Sequence, residues 1–195
     1  MNNPVIIDTD GGSDDTFCIG NMLRLHKLGK CNIIGITTVC GNIKSDECFQ
    51  TISILVKELF GINDIPIFES QSSAKFNNKC SYFYGKDGHY GKIKEISQKI
   101  YISSESSESF LSRKLKEIDN LTIIAIGPLT NLYTCEQVEK GILNKAKEIL
   151  IMGGAVKVPG NITPEAEYNF YIDEEATKSV LKCKNIVIFP LDITH

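Results

Sequence analysis

The chain has 195 residues, of which 42% are hydrophobic and 23% charged, with a formal net charge of −3. This balance suits one globular domain with a sizeable core and supplies no basic footprint for nucleic acid. No apolar stretch reaches the length of a membrane span, and the N-terminus lacks the basic-then-apolar layout of a signal peptide. Seven cysteines are scattered without a C-x-x-C pair. They read as reduced thiols in a cytoplasmic protein, used as small core residues.

In chain order, "VIID" (5–8) opens as a buried strand. A helix is predicted over 14–28, with Phe17, Leu25 and Leu28 at helical spacing and Ile19, Met22 and Leu23 widening the apolar face. "IIGITTV" (33–39) is the second strand, and a helix over 46–61 follows, with Gly61 as its C-terminal stop. Residues 69–92 are rich in Ser, Asn, Lys, Gly and Tyr and read as a long loop beside the site, a lid or a surface loop. "LTIIAI" (121–126) is a strand, then a helix over 128–141 has Pro128 in its first turn and Gly141 past its end. "EILIM" (148–152), a helix over 173–183 opened by Asp173, and "IVIFPL" (186–191) complete the pattern. The apolar runs barely alternate, as strands buried on both faces do. Strand and helix in alternation predict an α/β fold: an open, mostly parallel sheet with helices on both faces.

Nearly every apolar run ends in a polar or glycine-rich segment, and ligands bind outside the carboxyl ends of strands in open α/β sheets. Residue Asn42, the 127–131 turn and Gly153–Gly154 belong to such ends. The densest is "DTDGGSDD", which places Asp8, Asp10, Asp14 and Asp15 within eight residues. Like charges this close repel unless water screens them or a cation holds them. One acid at a helix start is ordinary capping, whereas four after a buried strand ask for more. An EF-hand is excluded: counted from Asp8, the sixth position is Ser13 instead of Gly and the twelfth is Ile19 instead of Glu. An aspartyl phosphatase loop, with Asp8 as nucleophile and Asp10 as acid/base, would need a later Gly-Asp-x-x-x-Asp segment, and none is present. A site for a hard cation remains, built from carboxylates and a neighbouring carbonyl.

"DTDGGSDD" resembles the N-terminal fingerprint of the inosine-uridine type nucleoside hydrolases. "TTVCGNI" (37–43), "AIGPLTNL" (125–132), "IMGGAV" (151–156), "GNITPEAEYNFYIDEEA" (160–176) and "PLDITH" (190–195) match further family segments in order, across the whole chain. The resemblance implies a Ca²⁺-dependent nucleoside N-ribohydrolase that releases the free base from purine or pyrimidine ribonucleosides in nucleoside salvage. It implies Ca²⁺ ligation by Asp10, Asp15 and the backbone carbonyl of Ile126, with Asp10 also taking a proton from the attacking water. It implies ribose binding by Asp14, Asn42, Asn161, Glu167 and Asn169, with Glu167 and Asn169 pointing the same way from an extended segment. A homodimer or homotetramer is implied as well.

The chain departs from the pattern in three places. Gly11 stands where the family usually has proline, and Gly can make the same turn at greater entropic cost. Tyr84 falls near a histidine that many members place beside the base; His89 is a loop residue, and His26 reads as surface. Members of the family also continue past "PLDITH", with a His-Asp pair that supplies a general acid and another calcium ligand. Residues 1–195 are therefore expected to be one domain cut short at its C-terminus. The rival expectation is a catalytically impaired piece that binds only ribose and Ca²⁺.

Overall fold

The computed structural model describes residues 3–72 and 84–194. Six strands form one parallel sheet in the order β3-β2-β1-β4-β5-β6. They are β1 (Pro4–Thr9), β2 (Asn32–Thr38), β3 (Ile67–Phe68), β4 (Thr122–Ala125), β5 (Glu148–Met152) and β6 (Ile186–Phe189). The principal helices are α1 (Ser13–Lys27), α2 (Ser45–Ile54), α3 (Ile93–Ile96), α4 (Ser107–Glu117), α5 (Thr130–Val138), α6 (Tyr168–Ile172), α7 (Glu174–Val180) and α8 (Leu191–Thr194). The chain winds outward from β1 to β3, then returns to β4 on the other side of β1. The strand order therefore reverses at β1 and β4, the position where open α/β sheets bind ligands.

Alternation along β1 divides the interior in two. Ile6 faces a core built with Ile123, Ile149, Ile151, Phe110, Leu111 and Val180. Val5 and Ile7 face the opposite core with Ile36, Ile19, Leu23, Phe49 and Ile52. Both faces of the central strands are thus apolar, which is why they read as continuous hydrophobic runs.

Several expectations are corrected. Along α1 the buried apolar residues are Ile19 and Leu23, while Phe17 is 77% exposed and Leu28 60% exposed. Two apolar stripes fit the helical period, and packing selects the one facing β2. The helix after Gly127 starts at Thr130, so Pro128 precedes its first turn. The helix over 46–61 is α-helical only to Ile54 and continues as a π-turn, Leu55–Leu59, before Gly61 at φ +66°. Strand β6, at one end of the strand order, is not buried on both faces: Val187, Ile188 and Phe189 are all about two-fifths exposed, whereas the strand at the other end, β3, is buried. Strand β3 and helix α4 have no counterpart among the predicted elements. Of the 69–92 loop, 73–83 lie outside the described residues. The rest of its C-terminal part is a tight turn in which the Asp87 carboxylate accepts from the amides of His89, Gly91 and Ile93. His26 is half-buried, and its Nδ1 accepts from the Ile33 amide at the start of β2.

The β1–α1 turn also departs from what a proline would build. Gly11 has φ +78°, and a Cβ there would lie 2.9 Å from Cys48 Sγ. Proline is locked near φ −65°, so this turn is not the one the family's usual residue makes. Gly11→Pro is expected to destabilise the protein by more than about 1 kcal/mol in urea titration, because the native φ is inaccessible. Leu23→Ala should cost about 2–5 kcal/mol through cavity formation, whereas Phe17→Ala should stay within about 0.5 kcal/mol. Equal losses for the last pair would contradict the orientation of α1.

Candidate active site

Strand β1 ends by delivering three acids into the protein interior. Asp8 and Asp10 are fully buried and Asp15, in the first turn of α1, is 3% exposed. Asp14 and Asp15 are successive helical residues about 100° apart around the axis, so Asp15 turns inward while Asp14 stays exposed at the pocket. Neutral donors hold the buried three. The Asp10 carboxylate accepts from the Asn42 amide at 2.7 Å and from Asn42 Nδ2 at 3.0 Å. Asp15 accepts from the Thr9 hydroxyl, from Gly12 N at 3.1 Å and from Asp10 N at 3.3 Å. Asp8 Oδ1 accepts from Thr37 Oγ1 at 2.6 Å and Asn131 Nδ2 at 2.7 Å, while its Oδ2 is buried without a partner.

Among the described residues no ion pair reaches these acids. Burial pushes the Asp8 carboxyl up to about 7 against the pull of its two donors. Burial, reinforced by the Asp14 charge, pushes Asp15 up to about 7. Asp10 is raised well above the ordinary carboxylate range by burial and by the neighbouring Asp15 charge. All three penalties act on the ionised form, and a cation would offset them.

A pocket of about 260 Å³ opens above this cluster, lined by Asp14, Asn42, Tyr84, Ile126, Met152, Asn161, Ile162, Glu167, Tyr168 and Asn169. Six of the eight residues singled out from sequence line it: Asp14, Asn42, Ile126, Asn161, Glu167 and Asn169. The other two, Asp10 and Asp15, are buried and do not line it; Asp10 is joined to it through its hydrogen bonds with Asn42. The Ile126 carbonyl, at the end of β4, accepts from Asn169 Nδ2 at 3.1 Å, and the Ile126 amide donates to Asp8 O.

Glu167 and Asn169 do not sit on an extended segment. Glu167 is the N-cap of α6, its carboxylate accepting from the amides of Asn169, Phe170 and Gly154, and Asn169 lies in the first turn. Burial raises the Glu167 carboxyl above its usual range. Asn161 Oδ1 accepts from Tyr168 N at 2.8 Å. Each of these side chains spends part of its hydrogen-bonding capacity holding the wall, and the remainder faces the pocket.

Sequence reasoning did not place Tyr168, Met152 or Ile162 in the site. Their only signal was adjacency to Glu167, Gly153 and Asn161. Tyr84 does line the pocket, and burial together with the charges of Asp14, Asp15 and Asp10 pushes its hydroxyl up to about 12. His89 is instead 2.7 Å from Thr16 Oγ1, tying the 84–92 turn to α1.

The groups that the sequence resemblance would make metal ligands, the carboxylates of Asp10 and Asp15 and the carbonyl of Ile126, offer only hard oxygens. Among the described residues no three His, Cys, Asp or Glu side chains converge as a ligand cluster. Two carboxylates and a carbonyl suit an oxygen-seeking cation such as Ca²⁺, with water completing its shell, and do not suit a soft metal.

The family model described as "Inosine-uridine preferring nucleoside hydrolase" matches residues 5–195. Uridine nucleosidase 1 of Arabidopsis thaliana is 33% identical over 97% of this chain and 56% of its own length. The pyrimidine-specific ribonucleoside hydrolase RihB of Escherichia coli (strain SE11) is 29% identical over 98% of this chain and 60% of its own. The solved plant nucleoside hydrolase PpNRh1 superposes with a TM-score of 0.89 at 30% identity, over 100% of this chain and 62% of that one. The chain thus spans little more than half the length of the curated relatives it matches. With its strand order, its acidic turn and the residues gathered around one pocket, it belongs to the inosine-uridine preferring nucleoside hydrolase family.

Proposed function

We propose that the protein hydrolyses the N-glycosidic bond of ribonucleosides, yielding ribose and free base. The observation that carries this is the pocket itself: polar groups suited to ribose hydroxyls line it, and one of them, Asn42, also holds the buried Asp10 carboxylate. Asp14, Asn42, Asn161, Glu167 and Asn169 grip the sugar. Glu167 can still accept from a hydroxyl, since a carboxylate offers about four lone-pair sites and three are used by backbone amides. Cleavage builds positive charge on the sugar, as in oxocarbenium-like glycosidase transition states, and the acids beneath stabilise it. Asp10 accepts a proton from the attacking water. Asp10, Asp15 and the Ile126 carbonyl would hold Ca²⁺, which when bound supplies charge neutralisation and a water of lowered pKa.

The aspartyl phosphatase alternative is set aside by the family. Ribose and cation binding without turnover is the second reading, since the pocket lining and the buried acids would serve binding alone equally well. A cytoplasmic role in nucleoside salvage and a homodimeric or homotetrameric assembly belong with the first. Among the described residues no helix is long and apolar enough to cross a membrane.

The test is release of base from uridine and inosine and of p-nitrophenol from p-nitrophenyl riboside, with and without Ca²⁺. Uridine comes first because the Arabidopsis relative is named for it. Asp10→Asn should lower every rate by about 10²–10⁴-fold, the usual contribution of a positioned acid or base, with the fold intact by circular dichroism. Undiminished turnover would remove Asp10 from the mechanism. Binding without release of base by the unaltered chain would favour the second reading.

The buried acids also set a pH dependence. A carboxyl raised in the folded state contributes stability that is fully present below its unfolded value, about 4, and is lost as pH rises through its folded value. For Asp8 and Asp15 that folded value is about 7. The metal-free protein should therefore lose stability between about pH 4 and 7. Ca²⁺ at about 100 times its Kd should restore roughly 3 kcal/mol. The gain in Tm should be larger near pH 8 than near pH 5, where protons compete for the ligands. A pH-independent gain, or a larger response to Zn²⁺, would contradict the assignment.

A further inference from the structure

One peptide group joins the two walls of the pocket. The Tyr168 hydroxyl donates to the Gly41 carbonyl at 2.7 Å. The Asn42 amide, at the other end of that same peptide, donates to the Asp10 carboxylate at 2.7 Å. We infer that Tyr168 is a positioning residue that holds Asp10 in place through the Gly41–Asn42 peptide. The assignment rests on the role proposed above for Asp10.

Each link is fixed from both sides. The Tyr168 backbone is set by the Glu167 cap that precedes it and by its amide bond to Asn161 Oδ1. The phenol therefore starts from the 167–169 wall and reaches the loop after β2. On that side Gly41 has no room to drift: a Cβ on it would fall 2.2 Å from Asp10 Oδ2. The turn is closed by Gly41 N donating to Ile43 O at 3.1 Å. A hydroxyl donating to a carbonyl polarises the peptide and makes its N–H a stronger donor, by about 10–30% per bond in such chains. Asn42 supplies a hydrogen bond to each Asp10 oxygen, one from its backbone and one from its side chain. Besides its contact with the Asp15 side chain, the orientation of that carboxylate therefore depends on Asn42 and on what fixes its peptide. Since Tyr168 also lines the pocket, the same side chain that bounds the pocket acts on the buried carboxylate held by Asn42.

The test is Tyr168→Phe, which keeps the ring and removes only the hydroxyl. Amide hydrogen exchange in the full, metal-free chain should show Asn42 N–H exchanging about three- to tenfold faster, the weight of one hydrogen bond, with amides of α7 unchanged. On p-nitrophenyl riboside, kcat should fall by a similar factor with KM nearly constant. Unchanged exchange at Asn42 overturns the inference. So does faster exchange with unchanged kcat, which would sever the link to Asp10. A rise in KM alone would make the phenol a substrate contact instead. If the unaltered chain hydrolyses no riboside, the proposed activity fails, while the exchange measurement still decides whether Tyr168 holds the peptide.

Discussion

Asp8, Asp10 and Asp15 are buried within a single turn of chain at the end of the central strand, and no basic side chain among the described residues compensates them. Desolvation and mutual repulsion both oppose this arrangement. It persists because neutral donors converge on it from separate elements: Thr37 from β2, Asn131 from α5, and Asn42 from the loop after β2. These donors can meet only where β1 lies between β2 and β4, so the strand order and the acidic site are one constraint. The neutral shell leaves a deficit of positive charge, visible in the raised carboxyls and in the unpartnered Asp8 Oδ2. A divalent cation and a sugar acquiring positive charge are two species that such a deficit favours.

The site also divides labour by depth. Behind the lining lie carboxylates, buried and fixed. The rim is amide and phenol, partly exposed and partly committed to the fold. Glu167 illustrates the overlap: it caps α6, ties down Gly154 and faces the pocket. Asn169 similarly bonds the carbonyls of Ile126 and Met152, joining the ends of β4 and β5. Side chains held this way lose little conformational freedom when ligand binds, and preorganisation of that sort favours catalysis over mere affinity.

Much of this was legible from residue order alone. Parallel strands buried on both faces appear as unbroken Ile/Val runs, and each run is followed by its functional loop, so β1, β2, β4 and β5 and the residues at their ends could be found together. The same signal failed at β6, whose composition matches the others but whose Val187, Ile188 and Phe189 have no described element covering them and stay about two-fifths exposed. Strand β3 is too short, at two residues, to produce a pattern. Helix α4 hides Phe110, Leu111 and Leu115 among serines and lysines. In α1 the period was right and the face too wide: Ile19 and Leu23 are buried as expected, while Phe17, Leu25 and Leu28 are exposed, because only the neighbouring sheet chooses which part of a broad apolar face it covers.

What sequence could not supply is the link between residues that share no local pattern. Glu167, Tyr168 and Asn169 are consecutive, and a strand would have pointed the middle one away from the other two. As the N-cap and first turn of a short helix, all three instead face the same pocket. Tyr168 thereby meets Gly41, 127 positions away, across a gap that exists only once β2 and β5 are separated by β1 and β4. Gly41 is in turn required to be small by Asp10, which comes from the intervening strand. The contact is thus a consequence of sheet topology acting on three separate stretches of chain, each of which looks ordinary by itself.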